Sequence, residues 1–170
     1  MAAAMAVPVH LMLFNLDGNM NIAMSVRTAA VLGCSDVWIV GRRKYDARPE
    51  VGAKNYVRAH KVADLGEDPA AFFAAAGLAP VLVEQGGTPL EEMEFGGMLR
   101  GTRPPCFILG SESHGIEPTV MAALAAAGAP KISISQYGMI RSLNVSVAAS
   151  IVLYEYLRQW RAVRRAAMGV

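Results

Sequence analysis

The sequence predicts an α/β domain built on a mostly parallel sheet flanked by helices. Three observations predict it. Short apolar runs alternate along the chain with stretches of helical pattern. Residues that start and stop helices stand at the joints between them. A length of 170 residues, 54% of them hydrophobic, suits one domain with a proper interior.

The elements follow in order. Residues 9–15 (VHLMLFN) read as a buried strand, and residues 22–32 as a helix with Asn21 as its N-cap and Gly33 as its stop. Residues 37–40 (VWIV) form a second buried strand. Residues 68–76 (DPAAFFAAA) open with Asp-Pro, a good helix start. Further strands are expected at 81–83, 107–109 and 132–134, with a helix at 117–127 (EPTVMAALAAA) ending at Gly128. The last helix spans about 144–165. Val145, Ala148, Ala149, Val152 and Tyr156 make one apolar stripe on it, and Val147, Ile151, Tyr154 and Leu157 widen that stripe until the first half is apolar almost all round. Such a helix is buried on more than one side. Either the core takes both sides, or a second copy of the chain takes one; the expectation is a homodimer packed through this helix.

Composition narrows the class. No apolar run reaches the ~18 residues of a membrane span. The start lacks a basic segment followed by a long apolar one, so a secretory signal is not expected, and the reading is of a cytoplasmic protein in a single domain, residues 1–170. Cys34 and Cys106 lie in apolar stretches and read as reduced core residues. His10, His60 and His114 are far apart, so no metal site is expected. The net charge of +2 says little, but its distribution is uneven. Arg42, Arg43, Lys44, Arg48, Lys54, Arg58 and Lys61 crowd one stretch, opposed only by Asp46 and Glu50. No Lys or Arg occurs from Asp64 to Glu94, and Arg158, Arg161, Arg164 and Arg165 make the end basic again. This segregation suits a polyanion held on one side of the molecule; two solvated surface stretches are the plainer reading.

Three segments concentrate unusual residues at strand ends. Residues 19–29 (NMNIAMSVRTA) open the first helix and carry Asn21 and Arg27. Residues 107–116 (FILGSESHGI) run from a strand through a glycine-flanked loop. Gly110 and Gly115 allow close backbone approach or positive φ. Glu112 between them would repel phosphate, and neither nucleotide-binding glycine fingerprint is present, so a cationic or neutral ligand fits better. Residues 132–148 (ISISQYGMIRSLNVSVA) leave the sheet, cross a polar loop and enter the last helix, with Ser142 and Asn144 both able to cap it and Arg141 beside them.

Together these segments resemble the three motifs of the TrmH/SpoU branch of the SPOUT RNA 2′-O-ribose methyltransferases. The matching residues are Asn21 with Arg27, Gly110-x-Glu112-x-x-Gly115, and the run SLNVSVA from Ser142 to Ala148. The resemblance covers about 11–160, and residues 136–145 are most similar to eukaryotic-type enzymes that methylate a tRNA D-loop guanosine. Ala23 and Ser135 depart from the pattern, which usually has glycine and proline there; both were expected to line loops. The resemblance implies a SPOUT fold with a deep C-terminal trefoil knot, a homodimer, and S-adenosylmethionine bound by the loops carrying Glu84, Gln85, Leu109, Gly110, Ile134, Ser142 and Leu143. It implies an RNA partner; tRNA is expected more than rRNA, on the reading that no separate RNA-binding domain precedes residue 9. It assigns catalysis to Arg27, with Asn21, Glu112, Ser142 and Asn144 around it. A guanidinium, with a pKa above ~12, is a reluctant base, so Arg27 is expected to stabilise the developing alkoxide of the ribose. Arg42, Arg43, Lys44 and Arg141 are the expected RNA contacts. A catalytically weak RNA-binding protein that keeps the fold, or an enzyme methylating a base nitrogen, are the alternatives.

Overall fold

The chain's apolar runs assemble into one six-stranded sheet in the order β3-β2-β1-β5-β4-β6, every pairing parallel. The computed structural model describes residues 6–14, 16–41, 48, 52–140 and 142–169. The strands are β1 (Val7–Phe14), β2 (Cys34–Val40), β3 (Arg58–Val62), β4 (Ala79–Pro89), β5 (Pro105–Leu109) and β6 (Lys131–Ser133). The helices are α1 (Asn19–Leu32), α2 (Pro69–Ala75), α3 (Gly96–Arg100), α4 (Pro118–Ala126) and α5 (Val145–Met168).

Strand residues alternate between two cores, as their twofold period dictates. Val9, Leu11 and Leu13 of β1 join Val37, Ile39, Phe107 and Ile132 under α1 and α5. Met12 and Phe14 join Val40, Leu82, Cys106 and Ile108 under α2 and α4. The sheet is therefore covered on both faces, the condition under which parallel sheets are stable. Both cysteines are buried and unpaired. Burial pushes the Cys34 thiol up to about 12 and the Cys106 thiol higher still, which leaves both inert at neutral pH.

The expected strands and helices are present; α1, β2, β4 and β5 are wider than expected, α2 and α4 are one residue shorter at each end, and β6 begins and ends one residue earlier. β3 and the short α3 are additions. The expected cap of α1 is corrected. Gly18 occupies the N-cap without a side-chain bond, and Asn21 lies inside the helix. Ala23, expected in a loop, is likewise a fully buried helix residue. There alanine is the better choice by roughly 0.5–1 kcal/mol, since glycine has more backbone freedom to lose. Asp68 caps α2 through the Ala71 amide as expected.

The two-sided burial expected of α5 is half met within one chain. Val145, Ala149, Val152, Leu153, Tyr156 and Leu157 face the core. Val147, Ile151 and Tyr154 are exposed. Tyr156 packs edge-on to Phe95 and Phe107 at 5.4 and 5.6 Å, and its hydroxyl donates to the Pro8 carbonyl. Burial raises the phenol to about 12, so it stays protonated. Gln159 fastens the 93–95 segment to the same helix, accepting from the Phe95 amide and donating to the Met93 carbonyl.

Candidate functional site

In this strand order β1 has β2 on one side and β5 on the other. Chain leaving the carboxyl ends of β1 and β5 therefore parts in different directions, and ligands of open parallel sheets bind in such crevices. Four segments meet there: the start of α1, the loop after β5, the bend of β4 near Glu84, and the loop from β6 into α5.

The loop after β5 is held by its own backbone. Ser111 and Gly115 exchange amide-to-carbonyl bonds of 2.9 and 3.0 Å, and Gly115 takes φ +67°. A Cβ on Gly110 would lie 2.0 Å from the Gly115 carbonyl carbon. Gly110 thus lets the chain pass close to its own Gly115–Ile116 backbone. The turn projects Glu112 towards α1. Its carboxylate accepts from the Asn21 side-chain amide and, at 3.2 Å, from the Asp17 backbone amide.

Asn144 completes the connection. Its Nδ2 donates to Asn21 Oδ1 at 2.9 Å, while its Oδ1 accepts from the Ser146 and Val147 amides and from the Ser146 hydroxyl. One side chain therefore caps α5 and ties it to α1. Asn144, Asn21 and Glu112, far apart along the chain, form one hydrogen-bonded row.

Beside this row lies a pocket of about 210 Å³. Glu84, Gln85, Leu109, Gly110, Ile134, Ser142 and Leu143, the residues expected to bind cofactor, all line it, and Glu112 does so too. Its remaining walls include Val83, Val145 and Ala148, and none of the described lining residues is Lys or Arg. Two carboxylates with aliphatic walls suit a ligand with a cationic centre and an apolar body; they do not suit phosphate.

Arg27 is not among the residues lining this pocket. Within its own chain it lines an adjoining, open groove of about 790 Å³ between α1 and α5, with Thr28, Ser135, Tyr137, Ile151 and Tyr154. Ile134 is common to the groove and the pocket, so the two adjoin. In the groove Ser135 hydrogen-bonds the Glu91 carboxylate and holds it below the ordinary carboxylate range. Arg42, Arg43, Lys44 and Arg141 lie outside the described residues.

Sequence reasoning missed a second cluster next to the row. The Ser113 hydroxyl donates to Asp17 and meets His114 Nδ1 at 2.7 Å; the Ser111 hydroxyl accepts from the His114 amide at 3.1 Å. The only signal was that Ser113 and His114 stand inside the Gly110–Gly115 segment, and nothing marked Asp17. Ser146, part of the SLNVSVA run, was given no role of its own; its hydroxyl donates to Asn144 Oδ1 at 2.6 Å.

Comparison with known proteins decides the family. The model of the SpoU rRNA Methylase family matches residues 8–154. The chain belongs to the SpoU rRNA methylase family. Among relatives of this SpoU protein, the tRNA (guanosine(18)-2′-O)-methyltransferase of Escherichia coli K12 is 31% identical over 144 residues, covering 82% of this chain and 58% of that protein. The SpoU chain thus spans under two thirds of that curated relative. Among solved structures, the TrmH/SpoU tRNA modifying enzyme of A. aeolicus is 26% identical with a TM-score of 0.73, covering 95% of this chain and 77% of that one. The SpoU methyltransferase AviRb of Streptomyces viridochromogenes, in complex with AdoMet, is 27% identical with a TM-score of 0.69, covering 88% and 57%. The expected SPOUT-type parallel sheet flanked by helices is thereby established.

Proposed function

We propose that this SpoU chain transfers methyl groups from S-adenosylmethionine to a ribose 2′-hydroxyl of RNA, with tRNA favoured over rRNA. The observation that carries the reading is the row Asn144–Asn21–Glu112, which joins the three motif segments beside a carboxylate-bearing pocket. The tRNA preference rests on the activity named for the E. coli relative. A cytoplasmic location accompanies that substrate. The expected trefoil knot, formed by the chain between β4 and α5, belongs to the same reading.

The pocket's chemistry fits the cofactor. S-adenosylmethionine supplies an electrophilic methyl on a sulfonium. Glu84 and Glu112 favour that positive charge, and the Leu109, Ile134 and Leu143 side chains cover an apolar body.

Arg27 then has the task of stabilising the ribose oxygen as its proton leaves to phosphate or water. Asn21 and Glu112 hold the start of α1, and thereby Arg27, in register with the pocket. A second copy of the chain completes the arrangement. Val147, Ile151 and Tyr154 on α5 and Met24 and Val31 on α1 leave an apolar face exposed around Arg27. A homodimer covering that face excludes water from the groove and strengthens the guanidinium's field.

The experiment is incubation of the purified chain with labelled S-adenosylmethionine and tRNA, followed by digestion to nucleosides. Label in a 2′-O-methylnucleoside is expected. Label on a base nitrogen, or cofactor and RNA binding without transfer, overturns the reading. Arg27→Ala is expected to reduce transfer by ~10²–10³ while cofactor binding persists; loss of cofactor binding makes Arg27 structural.

A further inference from the structure

The exposed face of α5 carries one continuous line of side chains. Val147, Ile151, Tyr154, Arg158, Arg161 and Arg165 follow at intervals of three or four residues, and all are exposed. The line is apolar as far as Tyr154 and basic beyond it. Glu155 is the last acid in the sequence. It engages Arg158 through two bonds of 2.7 and 2.8 Å, which fixes that guanidinium in place. Among the described residues no acid pairs with Arg161 or Arg165. Arg164, on the flank, lies over the Trp160 ring at 5.1 Å.

Helix-dipole compensation does not account for this stripe. That effect is confined to the final turn, where Arg165 is the basic residue. Arg158 and Arg161 stand one to two turns earlier. Arg158, Arg161 and Arg165 instead share one strip of α5 with Tyr154, Leu157 and Ala162. Guanidinium forks in such a row match successive phosphate oxygens.

We propose that this arginine stripe docks the phosphate backbone of a folded RNA substrate at a distance from the reacting nucleotide. The inference rests on the RNA-methyltransferase reading and adds a docking surface to it. At 1.5 Å per residue, Arg161 lies ~25 Å along the axis from Asn144, beyond the reach of a single nucleotide. The stripe itself covers ~10 Å, enough for two or three neighbouring phosphates. The arginines continue the line of exposed apolar residues beside the groove holding Arg27, so bound RNA and the groove share one side of α5.

The test is the full chain carrying Arg161→Glu and Arg165→Glu. Binding of an in vitro tRNA transcript is measured from about 50 to 200 mM salt, with S-adenosylmethionine affinity and sedimentation alongside. Affinity at the low-salt end is expected to fall at least ~10-fold, and the slope of log K against log salt to shrink by about one per arginine. Cofactor affinity and oligomeric state are expected to be unchanged. RNA binding equal to wild type in strength and slope overturns the inference and leaves the methyltransferase reading intact. Altered sedimentation makes the arginines subunit contacts and overturns it too. Wild-type protein that binds anionic lipid vesicles but neither binds nor methylates RNA defeats both readings together.

Discussion

Asn144 concentrates more of the site than any other side chain. Its oxygen performs a structural task and its nitrogen a positional one, so substitutions can separate them. Asparagine and aspartate cap helices about equally well, whereas alanine costs roughly 1 kcal/mol. Asn144→Asp keeps the acceptor but loses the donor and sets a carboxylate against Asn21 Oδ1, close to Glu112. Expected is a melting temperature near wild type with methyl transfer reduced at least ~10-fold. Asn144→Ala should lower both. Wild-type activity in the aspartate variant would remove Asn144 from the site.

A second residue has a pH signature. Burial holds the His10 imidazole below the ordinary histidine range, against the opposing pull of Asp36. Trp38 Nε1 donates to His10 Nδ1 at 3.3 Å, a bond the neutral ring accepts and the protonated ring cannot. The unfolded chain takes up its proton near 6.5, and the folded chain only at lower pH. Stability from His10 is therefore complete above ~6.5 and is lost as pH falls towards the folded value. Melting temperatures between about pH 7.5 and 5 should fall more steeply for wild type than for His10→Asn. Parallel curves would show that His10 does not contribute.

Among the elements, those that declare themselves in sequence are the ones whose local signals agree with their tertiary role. α2 begins at Asp-Pro because Asp68 caps it; β1 and β5 are apolar because both faces are covered. β3 has no such signal. It is an edge strand reading RAHKV, recruited by pairing with β2 and by His60 stacking on Trp38 at 4.3 Å. α3 opens with two glycines, against propensity, and is placed by the buried Phe95 and by Gln159 far along the chain. α5 is legible in extent and periodicity, while what lies against its outer face is not a property of one chain. If that face meets a second copy, Ile151→Asp puts a charge into the contact. The variant should sediment as a monomer at micromolar concentration and lose transfer activity, with its far-ultraviolet dichroism unchanged. A dimer of undiminished strength would move the interface elsewhere.

At the scale of the whole molecule, the three polar segments were legible as a set because their spacing resembles a known family, and the seven residues expected around the cofactor do share one pocket. The row that connects them was not. Asn21 has the look of a cap by residue type, and only the fold shows that its amide is used by Glu112 and Asn144. The position of Arg27 in the neighbouring groove was equally hidden, since it depends on which side of α1 faces α5. Strand order escapes periodicity altogether, because β1 pairs with β5 across most of the chain.

The double use of Asn144 has a thermodynamic consequence. Its oxygen holds the amides of Ser146 and Val147, so anything that steadies its nitrogen end also slows fraying of the longest helix. Occupancy of the pocket and closure of the first turn of α5 are then linked equilibria, each raising the probability of the other. Hydrogen exchange reads this directly. Saturating S-adenosylmethionine should protect the Ser146 and Val147 amides several-fold more than those near Arg165, and Asn144→Ala should erase the difference.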